Sequence, residues 1–192
     1  MRCSLFLLLI LSTFVFVHAE EVTIDGLTYS YDKGTMTASV FEGDVTYTSF
    51  VIPEKIDVDD VDYIVTSIGV GAFGECVSLT SVSIPNTVTE IEDYAFSGCV
   101  KLASIEVPNS VTRIGARTFY GCESLKSVVI PSSVMSIGKY AFSGCDNLTT
   151  IELPSTLTKI SEYLFSGCKS LSSIIIPNSV TTIGISAFEG CI

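Results

Sequence analysis

Six cysteines recur at one interval, Cys76, Cys99, Cys122, Cys145, Cys168 and Cys191, each 23 residues after the last. Thiols at fixed spacing can bridge, bind a metal or act as nucleophiles, and each chemistry needs partners that converge. A period this strict makes each cysteine the same slot of successive stacked coils. Adjacent coils put those Cα atoms about 4.8 Å apart, with parallel Cβ vectors that do not aim at one another. The expected state is therefore six free, buried thiols serving as small apolar residues, with no disulfide. Bridging is the alternative, because the count is even and the compartment is expected to be oxidising. Zinc needs ligands from short, converging spacings, which this pattern does not offer.

Other reactive constellations are sparse. The one histidine, His18, lies in the first nineteen residues, and there is no tryptophan. Without histidine beyond that point, no Ser-His-Asp, Cys-His or histidine-metal site can be built, so no catalytic, metal or cofactor-binding residue is assigned. The run Asp57-Val58-Asp59-Asp60-Val61-Asp62 could offer oxygens to calcium. It lacks the central glycine and distal glutamate of a helix-loop-helix site, and a solvated acidic loop is expected. Neighbouring acids also say nothing about a glycosidase pair, whose carboxylates face each other across a cleft. Asn147-Leu148-Thr149 is an acceptor for N-glycosylation if the producing cell is eukaryotic.

The first nineteen residues combine Arg2, the apolar run Leu5 to Val17, and Val17-His18-Ala19 before Glu20. That pattern predicts a signal peptide (1–19), with an uncleaved anchor as the alternative. The run is too short to span a bilayer comfortably. Once it is removed, 21 acidic and 9 basic side chains remain, a formal charge of −12. Such a chain repels phosphate backbones and anionic membrane surfaces, which excludes nucleic acid as a natural partner.

The elements that position these residues follow from the repeat. In the copy 100–122, Leu102, Ile105 and Val107 give L-x-x-I-x-V, the last two alternating inward as on a strand. Pro108 then marks a strand end, since proline cannot donate to a ladder. Val111 and Ile114 return to the core, Phe119 is the largest plug, and Gly121-Cys122 make the final bend. Leu, Pro, Ile, Phe, Gly and Cys are identical at these six positions in all five copies, and the glycine column is expected to hold a backbone angle that a Cβ would strain. One coil buries too little apolar surface to offset its own ordering, so the array folds only as a stack. Residues 20–63 alternate differently. Val22 to Tyr31, Thr35 to Phe41 and Val45 to Ile52 read as strands, with turns at Asp25-Gly26 and Glu42-Gly43-Asp44. They are expected to form a β-rich N-terminal cap carrying the acidic insertion. The array itself runs over 64–192, a partial repeat to Cys76 followed by five full ones.

Two columns vary while the core stays fixed. Tyr94, Arg117, Tyr140, Tyr163 and Ser186 form an aromatic and guanidinium stripe, in which Arg117 can gain cation–π contact with both neighbours. Exposed Tyr with Arg suits recognition of a partner, the plainer reading being rings that only pave the outside. The rival column is Ser83, Glu106, Val129, Glu152 and Ile175, of mixed chemistry. The last coil carries no polar capping segment, so either the sequence is a piece or short product of a longer array or that end pairs with another molecule, and self-association through it is expected.

The residues Leu125, Val128, Ile130-Pro131-Ser132-Ser133-Val134, Ile137-Gly138 and Ala141-Phe142-Ser143-Gly144-Cys145, with their counterparts, resemble the short leucine-rich repeat of BspA-type surface antigens. Glu92 and Ser161 replace the glycine after the isoleucine, and Thr118 and Leu164 the alanine before the phenylalanine. The resemblance implies a β-rich α/β solenoid, a right-handed leucine-rich-repeat superhelix. It further implies a secreted or cell-surface protein used in adhesion or protein binding, with a host cell surface or extracellular matrix as the kind of partner, and no catalysis. A structural spacer or shielding protein is the alternative. A carboxylate-pair hydrolase is the remote third.

Overall fold

The computed structural model describes residues 20–192, so the expected signal peptide lies outside the described residues. The N-terminal region contributes β1 (Glu20–Ile24), β2 (Leu27–Asp32), β3 (Thr37–Gly43), β4 (Ser49–Val51), β5 (Lys55–Val58) and β6 (Val61–Ile68). The repeats contribute β7 (Ser81–Ser83), β8 (Glu90–Ile91), β9 (Arg113–Ile114), β10 (Ser127–Val129), β11 (Ser136–Ile137), β12 (Thr150–Glu152), β13 (Lys159–Ile160) and β14 (Thr182–Ile183). The result is a β-solenoid of about six turns.

One flat side begins with the antiparallel strands β1, β2 and β3 and continues in parallel through β6, β8, β9 and β11. Its register is one repeat per strand: Ile68 pairs with Ile91, Ile91 with Ile114, and Ile114 with Ile137. A second side carries the strands before the prolines, where β4 pairs with β7 and β10 with β12, all parallel. At each corner the proline carbonyl accepts from the residue three further on, as Pro108 does from Val111 at 3.0 Å. The expected role of the proline column at strand ends holds.

The third side departs from expectation. No α-helix occurs among the described residues, so the α part of the predicted α/β class is corrected to all-β. Alternate N–H groups there point forward to the next coil. Tyr94 donates to the carbonyl of Ala116 (2.9 Å), Phe96 to Thr118 (2.8 Å) and Gly98 to Tyr120 (2.8 Å). The groups between them close tight turns within the coil, Ser97 to Tyr94 and Cys99 to Phe96. A helix is impossible because two residues per coil adopt left-handed backbone, Tyr94 at φ 61 and Gly98 at φ 74.

The interior is a set of columns. Leu102, Val111, Ile114, Phe119 and Cys122 are all buried, as are their counterparts in the central coils. The phenylalanines stack face to face from Phe73 through Phe96, Phe119, Phe142 and Phe165 to Phe188, with centroids 5.0–5.8 Å apart and planes within 16°. Serine and threonine hydroxyls tie the coils at the surface: Thr89 donates to the carbonyl of Thr66, Thr112 to Thr89 and Thr181 to Thr158, at 3.2–3.3 Å. At Thr118, which replaces an alanine, the buried hydroxyl lies 2.9 Å from the Gly115 carbonyl, so the substitution leaves no polar group unpartnered. In the last coil Ile183, Ile185 and Ile192 are exposed, although Ile160, the counterpart of Ile183, is fully buried.

The acidic run is not the loop expected from the sequence. Asp57 to Asp62 forms the end of a β-hairpin in which Asp57 pairs with Asp62 and Val58 with Val61. Asp59 and Asp60 make its two-residue turn at φ 53 and 62, angles a short polar side chain tolerates. The Val45 to Ile52 stretch supplies only the short β4; Asp44 instead caps a turn through the N–H and hydroxyl of Thr46.

Candidate functional site

Tyr94, Arg117, Tyr140, Tyr163 and Ser186 occupy the slot that opens the third side of each coil. All five are left-handed, with φ of 61, 54, 60, 56 and 51. A Cβ in that conformation costs about 1–2 kcal/mol per residue, which is why Gly or Asn is the usual occupant. The strain was not read from the sequence. One signal could have revealed it: the irregular first copy has Gly71 in this slot, at φ 67.

The backbone repeat converts that slot into a ladder of planes. The Arg117 guanidinium lies 5.4 Å from the Tyr94 ring centroid and 4.7 Å from that of Tyr140, a cation held between two aromatic faces. Tyr140 and Tyr163 continue the stack at 4.6 Å with planes 2° apart. Arg117 Nη1 also donates to the Tyr94 hydroxyl. The structure thus brings the four predicted residues into one contiguous surface strip. Ser186 shares the column but lacks a ring to join the stack. Tyr94 is exposed, and Arg117, Tyr140 and Tyr163 are half-buried.

Charges beside the strip are paired. Arg113 Nη2 meets Asp93 Oδ1 at 3.0 Å, and Lys139 meets Glu162 at 2.7 Å. That contact holds the Glu162 carboxyl below the usual carboxylate range. Glu92 moves the other way, raised first by burial and then by Glu90, but it sits on the solenoid wall without a facing acid across a cleft.

The remaining candidates are dispersed. Ser83, Glu106, Val129, Glu152 and Ile175 share the strand face and are exposed, yet Val129 lies between the two glutamates. A shallow groove of about 560 Å³ lies beside that column, between Glu152 and Ile175. Asn147 is exposed, and its Nδ2 donates to the Glu123 carbonyl at 2.7 Å. From Cys99 on, each repeat thiol donates to a phenylalanine carbonyl one coil back, as Cys122 does to Phe96 and Cys168 to Phe142 at 3.2 and 3.1 Å, whereas Cys76 faces the Gly43 carbonyl at 4.0 Å. Burial pushes the Cys122 and Cys168 thiols up to about 12, and Cys99 and Cys145 well above the ordinary value. A thiol so raised supplies no thiolate nucleophile at neutral pH. No group of three His, Cys, Asp or Glu residues among the described residues is placed to hold a metal ion. No helix among them is long and apolar enough to cross a membrane.

Residues 66–192 match the BspA-type leucine-rich repeat region in six copies, so the chain belongs to that family. Among solved structures it is similar to a leucine-rich repeat protein of T. pallidum, at 28% identity over 90% of this chain and 89% of the other, with TM-score 0.74. A leucine-rich cell surface protein of Faecalibacterium prausnitzii is 30% identical over 90% of this chain and 52% of its own, with TM-score 0.70. A leucine-rich repeat protein of Bacteroides ovatus is 34% identical over 88% of this chain and 50% of its own, with TM-score 0.65. No curated protein matches the chain.

Proposed function

We propose that this member of the BspA-type leucine-rich repeat family is a non-catalytic recognition module, exported and displayed at or beyond the cell surface, where it binds protein and serves adhesion. The strip Tyr94–Arg117–Tyr140–Tyr163 carries the reading. Tyrosine and arginine are the residue types that concentrate binding energy at interfaces. Here they occupy a strained slot where glycine would serve the fold at least as well, and strain kept in successive coils fits a surface retained for contact. The cell-surface description of the F. prausnitzii relative supports the location. In this reading the N-terminal strands close one end of the array and leave its sides free.

The test is attachment of the secreted chain to cultured host cells and to immobilised matrix proteins. Saturable attachment that falls at least tenfold in a Tyr94→Ala/Arg117→Ala/Tyr140→Ala variant is expected. Attachment unchanged in that variant, with the fold intact, would leave a spacer as the better description.

A further inference from the structure

The geometry points to Arg117 as a receptor for a carboxylate, supplied by an Asp or Glu side chain on an acidic segment of the protein partner; this rests on the recognition function proposed above and names its chemistry. Acidic side chains outnumber basic ones 21 to 9 in residues 20–192, so carboxylate partners are plentiful on this chain. Arg113, the other guanidinium, has one within 4.0 Å, as do Lys33, Lys55, Lys139 and Lys169, while among the described residues the exposed Lys101, Lys126 and Lys159 have none. Arg117 has none among the described residues, and the neighbouring structure explains why. The slot preceding it in its own coil is Ala116, where the coil before offers Asp93, the coil after offers Lys139, and the nearest acid beyond is Glu162, two coils on. Asp93 is already occupied, accepting from Arg113 Nη2 at 3.0 Å and from the Ala116 N–H at 2.9 Å. Glu162 is held by Lys139 at 2.7 Å.

The guanidinium is nevertheless fixed. Two ring faces set its plane, and one Nη1 bond to the Tyr94 hydroxyl sets its rotation. An arginine carries five N–H donors in a rigid fork that matches the two oxygens of a carboxylate. Freezing the fork before binding removes the entropy that a free arginine would lose on capture. One guanidinium between two rings, on a chain of formal charge −12 once Arg2 is removed, does not suit a polyanion, whose binding needs many cations together. It suits one carboxylate brought in by a partner that makes its other contacts on the adjoining Tyr140–Tyr163 shelf.

The experiment is NMR of the arginine side chains in the ¹⁵N-labelled chain without residues 1–19, which contains only Arg113 and Arg117. The probes are the blocked peptide acetyl-Gly-Glu-Gly-amide and its neutral twin acetyl-Gly-Gln-Gly-amide at equal ionic strength. The Arg117 Nε–H signal should shift saturably with the glutamate peptide, at least tenfold more tightly than with the glutamine peptide, while Arg113 stays still. Arg117→Lys, which keeps the charge but not the fork, should weaken capture of the same peptide about tenfold, read by peptide line broadening. An unmoved Arg117 signal, or equal response to both peptides, overturns the assignment. If the chain attaches to cells through the strip while Arg117 ignores the glutamate peptide, the carboxylate assignment falls and the recognition function stands. If Arg117 takes the glutamate while the chain attaches to nothing, the assignment stands and the recognition function falls.

Discussion

Two stacks run side by side along the third face of this solenoid, two residues apart in every coil. The inner one is phenylalanine at every repeat from Phe73 to Phe188, with successive centroids 5.0–5.8 Å apart. The outer one is Tyr94, Arg117, Tyr140 and Tyr163, at similar spacings. One backbone repeat builds both, yet one column never changes residue and the other changes at almost every step. Close packing explains the first: a void left inside a stack is felt by both neighbours. The second sits in a left-handed slot where the fold favours glycine, so core packing does not select its side chains. On the proposed function, a regular scaffold separates the residues that make it fold from those offered for recognition.

Breaking the interior should cost most. The folded state keeps the repeat thiols neutral, with Cys122 and Cys168 raised to about 12 by burial. In the unfolded chain they ionise near the ordinary thiol value of about 8.5. Stability is therefore complete below that pH and falls above it, because the unfolded state then releases protons that the folded state retains. Each such thiol contributes a loss of about 1.4 kcal/mol per pH unit in that window. Urea titrations between pH 8 and 10 should show the slope becoming shallower in a Cys122→Ala variant. Labelling should find low thiol reactivity in the native chain without residues 1–19 and about six thiols after denaturation; none after unfolding would mean bridges. Phe119→Ala should lower stability by about 3–5 kcal/mol, since the cavity opens between two stacked rings.

Smaller effects sharpen the contrast at the turn. Gly121, at φ 69 with open space where a Cβ would go, should lose about 1–2 kcal/mol on change to Ala through backbone strain alone. Ser186→Gly should do the reverse and gain up to about 1 kcal/mol, because Ser186 pays the left-handed strain without joining the stack. Gly138 differs from both. A Cβ there would lie 2.4 Å from the Ala116 backbone nitrogen, so its change should push coils apart and cost more than that at Gly121.

Much of this contrast was legible in the sequence. Spacing of 23 residues places Phe over Phe and Arg117 between two tyrosines, because a stacked repeat turns sequence period into spatial neighbourhood. The proline corners and the left-handed glycines follow from what those residues can and cannot do with φ and a backbone donor. The rest was hidden for physical reasons. Tyrosine and arginine disfavour left-handed backbone, so their identity pointed away from the angle they adopt. The forward ladder on the third side is made by N–H and C=O groups that every residue carries, and side-chain pattern is silent about it. Asp59-Asp60 read as a charged loop because two acids outweigh turn chemistry in composition, although short polar side chains are also what a tight hairpin turn accepts.

The separation of scaffold from surface is tested most directly by one paired measurement on Arg117→Ala/Tyr140→Ala: thermal midpoint and attachment to cultured host cells and immobilised matrix proteins. The midpoint should stay within a few degrees, since surface cation–π and stacking contacts of half-buried side chains are worth about 1 kcal/mol each, while attachment falls at least tenfold. A variant that unfolds, or one that folds and attaches as the wild type does, would contradict the claim that these coils hold their working residues apart from the ones that make them stable.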